Sequence, residues 1–262
     1  MKLRRFKVEK ESIRGREAAI RDRSEIRHII KVLRLKAGDP VILFDGEGKE
    51  YRATITNLSP RQADFSLLQE SPARSMESPL MIILGLGLLK SSKFDLLIQK
   101  ATELGISEIV PFYSLRVVPR LEENKARSRQ SRWEKIASEA AKQCGRTKVP
   151  RVHPLRIFEE ILAMDFEKTT KIFLWEKENH GNLREALIVP TSRVFALVGP
   201  EGGFSEEEAF QAQGAGFRPV RLGPRILRAE TAGIVIVGLL QFLLGDLHGE
   251  ENFPCHLLPA IL

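Results

Sequence analysis

Cysteine is nearly absent from the 262 residues: Cys144 and Cys255 are the only two. Two cysteines build neither a disulfide framework nor a cysteine-rich metal site, so a reducing, cytoplasmic compartment is expected. Histidine gives no metal site either. His28, His153, His180, His248 and His256 include no i, i+4 pair, so no metal is expected. Long apolar runs are also missing. The most apolar, Ala232–Leu244, includes Gln241 and falls short of the roughly 20 residues of a bilayer helix. The basic N-terminus has no apolar core of signal-peptide length. Neither membrane insertion nor secretion is expected. A Gly-x-Ser-x-Gly elbow does not occur. A Gly-x-Gly-x-x-Gly dinucleotide fingerprint is also absent, because Gly85-Leu-Gly87 leads to Lys90.

Charge is present in excess of one sign. Lys and Arg number 41 against 34 Asp and Glu, a net of +7. The surplus is localised: residues 1–36 hold 13 cations and 5 acids, residues 116–156 hold 12 and 4, and the remainder is acidic. Clustered cations release counterions from phosphate, so the distribution points to nucleic acid more strongly than the total does. The bland alternative is two solvated helix faces. Ordinary apolar content, 43%, argues against disorder, and the length fits one large or two modest domains.

Two textures divide the chain. Up to about residue 70, short β-like runs dominate: Val41–Phe44, an Asp45-Gly46 turn, Tyr51–Thr56 with period-2 alternation, and Ala63–Leu68. One helix, from about Ser24 to Leu33, interrupts them with Ile26, Ile29, Ile30 and Leu33 on a stripe and Ser24 or Asp22 as cap. Together they predict a small β-barrel over 1–70. Residues 71–79, rich in Ser and Pro, read as a linker.

From 80 to 247, strands and helices alternate. Strands are expected at Met81–Leu84, Glu108–Phe112, Ile172–Trp175, Val194–Val198 and Pro219–Leu222. Helices are expected at Ser92–Leu104, Ser128–Cys144, Ser205–Gln213 and Ala229–Leu244. Such alternation predicts an α/β domain with a covered parallel sheet, whose ligands sit beyond the carboxyl ends of strands. Residues 248–262 form a tail.

Three strand ends carry candidate chemistry. Gly199-Pro-Glu-Gly-Gly203 joins a buried strand to a helix opened by the capping box Ser205-x-x-Glu208. Its glycines permit close approach, and the carboxylate of Glu201 suits a ribose hydroxyl, an amine or a neighbouring backbone. A P-loop is excluded, since no Lys-Ser/Thr follows. The second strand end, Leu222-Gly-Pro-Arg-Ile-Leu-Arg-Ala-Glu-Thr-Ala232, carries Arg225, Arg228 and Glu230. Thr231 serves as a possible helix cap and Glu230 complements the helix dipole, whereas Arg228 opposes it and calls for another role. The third, Gly85–Lys93, reads as a turn before a helix, with Lys90 and Lys93 as phosphate contacts.

These segments resemble the bacterial ribosomal RNA small-subunit methyltransferase E family of the SPOUT superfamily. The likeness rests on Gly199-Pro-Glu-Gly-Gly-Phe-Ser205 and Leu222-Gly-x-Arg-Ile-Leu-Arg-x-Glu-Thr-Ala232. It extends to His28-Ile-Ile-Lys-Val-Leu-Arg34 with Gly38-Asp39, to Lys93-x-Asp95-x-x-Ile-Gln-Lys-Ala-Thr-Glu-Leu-Gly105, and to Arg132-Trp-x-Lys-Ile through Gln143-Cys-Gly-Arg146. The resemblance implies a PUA-like RNA-binding barrel, an α/β domain ending in a trefoil knot, and a homodimer. It also implies methylation of nitrogen 3 of a uridine in 16S ribosomal RNA of the small subunit, with S-adenosyl-L-methionine as donor. Carried over, the donor is held by Leu174, Trp175, Gly199, Pro200, Glu201, Gly202, Gly203, Leu222, Gly223, Ile226, Leu227, Thr231 and Ala232. The chain departs from the pattern at Ala229, where Thr is common, at Ser114-Leu-Arg-Val117, and at Lys142, where an acid is frequent.

Uracil nitrogen 3 is a poor nucleophile until its proton leaves, so Arg228 is expected to stabilise charge on the ring or hold the target phosphate. Glu230 or Glu201 is expected to accept the proton, and the base must be flipped to be reached. Arg4, Arg5, His28, Lys31, Arg34, Lys90, Lys93, Arg116, Arg132 and Arg146 are the expected RNA contacts. Two rivals remain open: a non-catalytic RNA-binding assembly module, which would not need the Gly-Pro-Glu-Gly-Gly loop, and a SPOUT enzyme acting on another RNA.

Overall fold

The computed structural model describes residues 3–71, 77–114, 122–166, 168–179, 181–187 and 191–248. Contacts divide the chain into two units, Met1–Glu77 with Ser138–Val149, and Ser78–Ala137 with Pro150–Leu262.

The first unit holds β1 (Arg4–Lys7), β2 (Ile13–Arg14), β3 (Glu17–Ile20), α1 (Arg23–Arg27), β4 (Pro40–Phe44), β5 (Glu50–Leu58) and β6 (Ala63–Ser71). They form a half-barrel sheet ordered β1-β4-β5-β6-β3-β2, antiparallel except where β1 joins β4. Alternate residues face inward, as the two-residue period requires. Val41, Leu43, Ala53, Ile55, Ala63, Phe65 and Leu67 meet Phe6, Val8, Ala18 and Ile20, and Ile26 and Ile29 complete this core. The predicted helix is regular only as far as Arg27. His28–Val32 widens into a π turn, and the cap is Asp22, whose carboxylate accepts the Glu25 N–H at 2.8 Å. Strands β1 to β3 were not legible in the sequence. The Asp45-Gly46 turn is held by Asp45 Oδ1, which accepts from the backbone N–H groups of Glu47, Gly48 and Lys49.

The second unit begins with β7 (Met81–Gly87), α2 (Ser91–Glu103), β8 (Glu108–Tyr113), α3 (Glu123–Cys144), β9 (Arg151–Val152) and β10 (Arg156–Ile157). It continues with α4 (Phe158–Leu162), β11 (Thr170–Leu174), α5 (Leu183–Ala186), β12 (Arg193–Val198), α6 (Glu206–Gly214), β13 (Arg218–Val220) and α7 (Ala229–Leu244). The last turns of α3 belong to the first unit. Every strand pairing is parallel, in the order β10-β8-β7-β12-β11-β13, with β9 also on β8. The strands are apolar because helices cover both faces: Val194 to Val198 are all buried. After β13, at the sheet edge, the chain returns to α7, which packs on α2, β7 and β12. That return is compatible with the knotted end the resemblance implies.

Gly85 and Gly87 do not form the expected turn; both lie within β7. Strand β12 explains them. A Cβ at Gly85 would come within 2.3 Å of the Leu197 side chain, and one at Gly87 within 2.6 Å of the Pro200 nitrogen. Small residues here let the Gly199–Gly203 loop lie against the sheet.

Candidate functional site

Three neighbouring parallel strands end together: β11 at Leu174, β12 at Val198 and β13 at Val220. Parallel strands present their carboxyl ends on one side, and the loops that follow enclose a cleft of about 390 Å³. One wall is Leu174 and Trp175. A second is Gly199, Pro200, Glu201, Gly202 and Gly203. The third is Leu222, Ile226, Leu227 and Arg228, closed by Ala232 of α7. Gly223 and Thr231 are exposed and lie outside the lining. The sequence reading missed Glu176, Val198, Val220 and Arg221 as lining residues, and Ala229 lines the cleft without its family hydroxyl. Their adjacency to the ends of β11, β12 and β13 was the available signal.

The local backbone follows from the sequence. Ser205 accepts the Glu208 N–H at 3.1 Å and Glu208 returns a bond to the Ser205 N–H at 2.8 Å, which fixes the start of α6. Gly203 sits at φ +65°, and a Cβ there would meet Glu176 Oε1 at 2.9 Å. The positive φ favours glycine here, and its missing side chain leaves room for the Glu176 carboxylate. Helix α7 is capped at Arg228 and not at Thr231, which lies within its first turn. Arg225 and Arg228 are exposed at the rim.

Lys93, one of the expected RNA contacts, is paired within the protein. Its ammonium lies 3.6 Å from Glu201 Oε1 and 3.4 Å from Glu230 Oε1. Glu201 Oε1 also accepts the Lys90 N–H at 3.3 Å. Glu230 is mostly buried, stands outside the lining, and its Oε2 has no hydrogen-bond partner among the described residues. The buried indole Nε1 of Trp175 likewise has no partner there. A buried donor without an acceptor is costly, and in a cleft wall it marks a place where a ligand acceptor would be welcome.

The expected RNA contacts divide sharply. Arg4, Lys31 and Arg34 are exposed, with no ion pair among the described residues, and His28 is half-buried. Lys90 is exposed. Arg5 is instead spent internally. It pairs with Glu50, donates to the Arg146 carbonyl at 3.0 Å and covers the Phe44 ring. Arg146 is 5% exposed and pairs with Glu77 at 2.8 Å. Arg132 is exposed and donates three bonds to Asp95, at 3.4, 3.1 and 2.7 Å. Lys142 does not enlarge a basic surface, because it pairs with Glu25 at 2.9 Å and sits over Phe6. Arg116 lies outside the described residues. Burying a cation costs more than pairing returns unless a carboxylate meets it, and here each buried cation has one. In the second basic stretch Arg146 is internal and Lys142 partly so, while Lys125, Arg127, Arg132, Lys135, Lys148 and Arg151 are exposed; the first stretch exposes Arg4, Arg14, Arg16, Arg23, Arg27, Lys31, Arg34 and Lys36.

No group of three or more metal-ligating side chains occurs among the described residues, and no helix among them is long and apolar enough to cross a membrane.

Comparison with known proteins adds independent findings. A family described as an RNA methyltransferase domain matches residues 76–241, and one described as an RNA methyltransferase PUA domain matches 20–68. Ribosomal RNA small subunit methyltransferase E of Bacillus subtilis is 32% identical, over 87% of this chain and 91% of that protein. The protein of that name from Neisseria gonorrhoeae, solved bound to S-adenosyl methionine, is 34% identical with a TM-score of 0.85, over 94% of this chain and 100% of the other. A Legionella pneumophila methyltransferase solved with bound cofactor superposes at a TM-score of 0.86 and 30% identity, over 94% of this chain and 100% of the other.

Proposed function

Because the chain belongs to the ribosomal RNA small subunit methyltransferase E family, we propose that it methylates nitrogen 3 of a uridine in 16S ribosomal RNA. It is an S-adenosylmethionine-dependent ribosomal RNA methyltransferase; the uridine and its nitrogen are our reading. The observation that carries it is the convergence of both motif loops on one cleft at the ends of β11, β12 and β13.

The residues present fit the donor. The cleft lies in the range of small-ligand sites, about 300–1,000 Å³. Leu174, Leu222, Leu227 and Ala232 offer apolar wall to a nucleobase, and Glu176 and Glu201 offer carboxylates to hydroxyl or amino groups. The Trp175 indole N–H supplies an unused donor. When bound, S-adenosylmethionine supplies a methyl group activated by a sulfonium.

The protein's own work is positioning and charge. Arg228 stands at the rim with its guanidinium exposed. There it stabilises negative charge on the uracil ring or grips the flanking phosphate. One of the two carboxylates tied to Lys93, Glu230 or Glu201, takes the proton from nitrogen 3. The half-barrel of residues 1–70 grips RNA through its outward cations, with residues 71–79 as linker to the transferase domain of 80–247. The target base leaves its stack to enter the cleft.

We further place the enzyme in the cytoplasm as a homodimer. Helix α7 and its end present Leu239, Phe242 and Leu247 to solvent, an apolar surface suited to a second copy. Incubating undermethylated small subunits with the protein and labelled S-adenosylmethionine tests the function: label in 16S RNA supports it, and none refutes it.

A further inference from the structure

Two segments that border the cleft each carry a carboxylate. Glu201 crests the loop between β12 and α6, and Glu230 lies in the first turn of α7. The ammonium of Lys93, from the first turn of α2, reaches both. Glu201 has a second tie, the Lys90 N–H. Glu230 has none: Lys93 is its one polar side-chain partner among the described residues, and its Oε2 is buried and unpaired. The helix N-terminus favours the charge of Glu230 but does not fix its direction. Only Lys93 does both, and it does so from the lining of the cleft.

We propose that Lys93 is a positioning residue for the methyl donor: it straps the Glu201 loop to the start of α7 and thereby sets the gap into which the donor binds. The proposal rests on the donor reading above. It replaces the phosphate contact that its place at the end of the Gly85–Lys93 segment suggested. An ammonium shared by two carboxylates 3.4 and 3.6 Å away has its charge met from within, so a phosphate would have to compete with both. Removing it strands a buried carboxylate beside the cleft, which then turns away or draws in water, and the two loops lose their common tie.

Lys93→Met, Lys93→Arg, Glu230→Gln and the Lys93→Met/Glu230→Gln pair are compared by calorimetry with S-adenosylmethionine, and by RNA binding across a salt series. Thermal melts report folding. Lys93→Met is expected to weaken donor binding about three- to tenfold, and Lys93→Arg to recover most of the loss. In the Glu230→Gln background, the same Lys93→Met change is expected to cost less than twofold. RNA affinity and its salt slope stay at the wild-type value. The proposal is overturned if Lys93→Met binds the donor as wild type, or if its cost is undiminished in the Glu230→Gln background. A salt slope reduced by about one would assign Lys93 to a phosphate instead. If Lys93→Met does not fold, Lys93→Gln carries the same comparison. Wild-type protein that binds no donor at all refutes the donor reading and leaves the strap without its ligand, a result distinct from either.

Discussion

Gly87 of β7 and Pro200 of the cleft loop are in backbone contact, so close that a Cβ on Gly87 would stand 2.6 Å from the proline nitrogen. The loop that carries Glu201 is thus seated on the sheet by the absence of a side chain. Gly87→Ala is expected to push the loop outward, destabilising the protein by about 1–3 kcal/mol and weakening donor binding. Thermal melting and calorimetry with S-adenosylmethionine measure the two effects; unchanged affinity would show that the contact does not shape the cleft.

Arg228 tests the catalytic assignment. It caps α7 without a side-chain bond and stands exposed at the cleft rim, so Arg228→Ala should fold normally and bind S-adenosylmethionine nearly as tightly as wild type. Single-turnover transfer should fall by about a hundredfold or more, the scale of losing one charge-stabilising donor. Equal activity would sink the role.

The basic residues make opposite predictions according to burial. Reversing charge at Arg4, Lys31 and Arg34 together is expected to weaken RNA binding and flatten its salt dependence, with little change in stability. Arg146→Ala, by contrast, removes the buried cation paired with Glu77, which still accepts the Thr147 and Lys148 N–H groups, and is expected to destabilise the first unit by about 3 kcal/mol. Denaturant titration and filter binding of both variants separate an RNA grip from an internal brace.

Acid stability follows from Glu108. The hydrogen bond from His153 holds its carboxyl below the ordinary carboxylate value. A depressed carboxyl contributes stability that is complete above pH 4.5, the value it takes when unfolded, and that is lost as pH falls through its lower folded value. Glu108→Gln should therefore be less stable than wild type at neutral pH, and the gap should close in strong acid. A gap independent of pH would contradict the coupling.

How much was readable in advance depended on range. The loop 199–205, the box Ser205–Glu208 and the helix 229–244 were legible because glycine, proline and capping signals act within a few residues. Strand β1 was not, since it pairs with β4 some 37 positions away: Arg4 faces Val41. Gly85 and Gly87 resembled a turn because what they accommodate, Leu197 and Pro200, lies more than a hundred residues on. The first residues of α3, Glu123 to Arg127, are so polar that no apolar stripe announced them. Arg5 and Arg146 looked like surface cations because Glu50 and Glu77, which hold them inside, carry no sequence signal of that duty.

The central claim is methyl transfer to nitrogen 3 of a uridine. Its most direct test is mass spectrometric mapping of 16S RNA after undermethylated small subunits are incubated with the protein and S-adenosylmethionine. The account predicts one new methyl group, on nitrogen 3 of a single uridine, absent with Arg228→Ala. A methyl group on a ribose or on another base would contradict it.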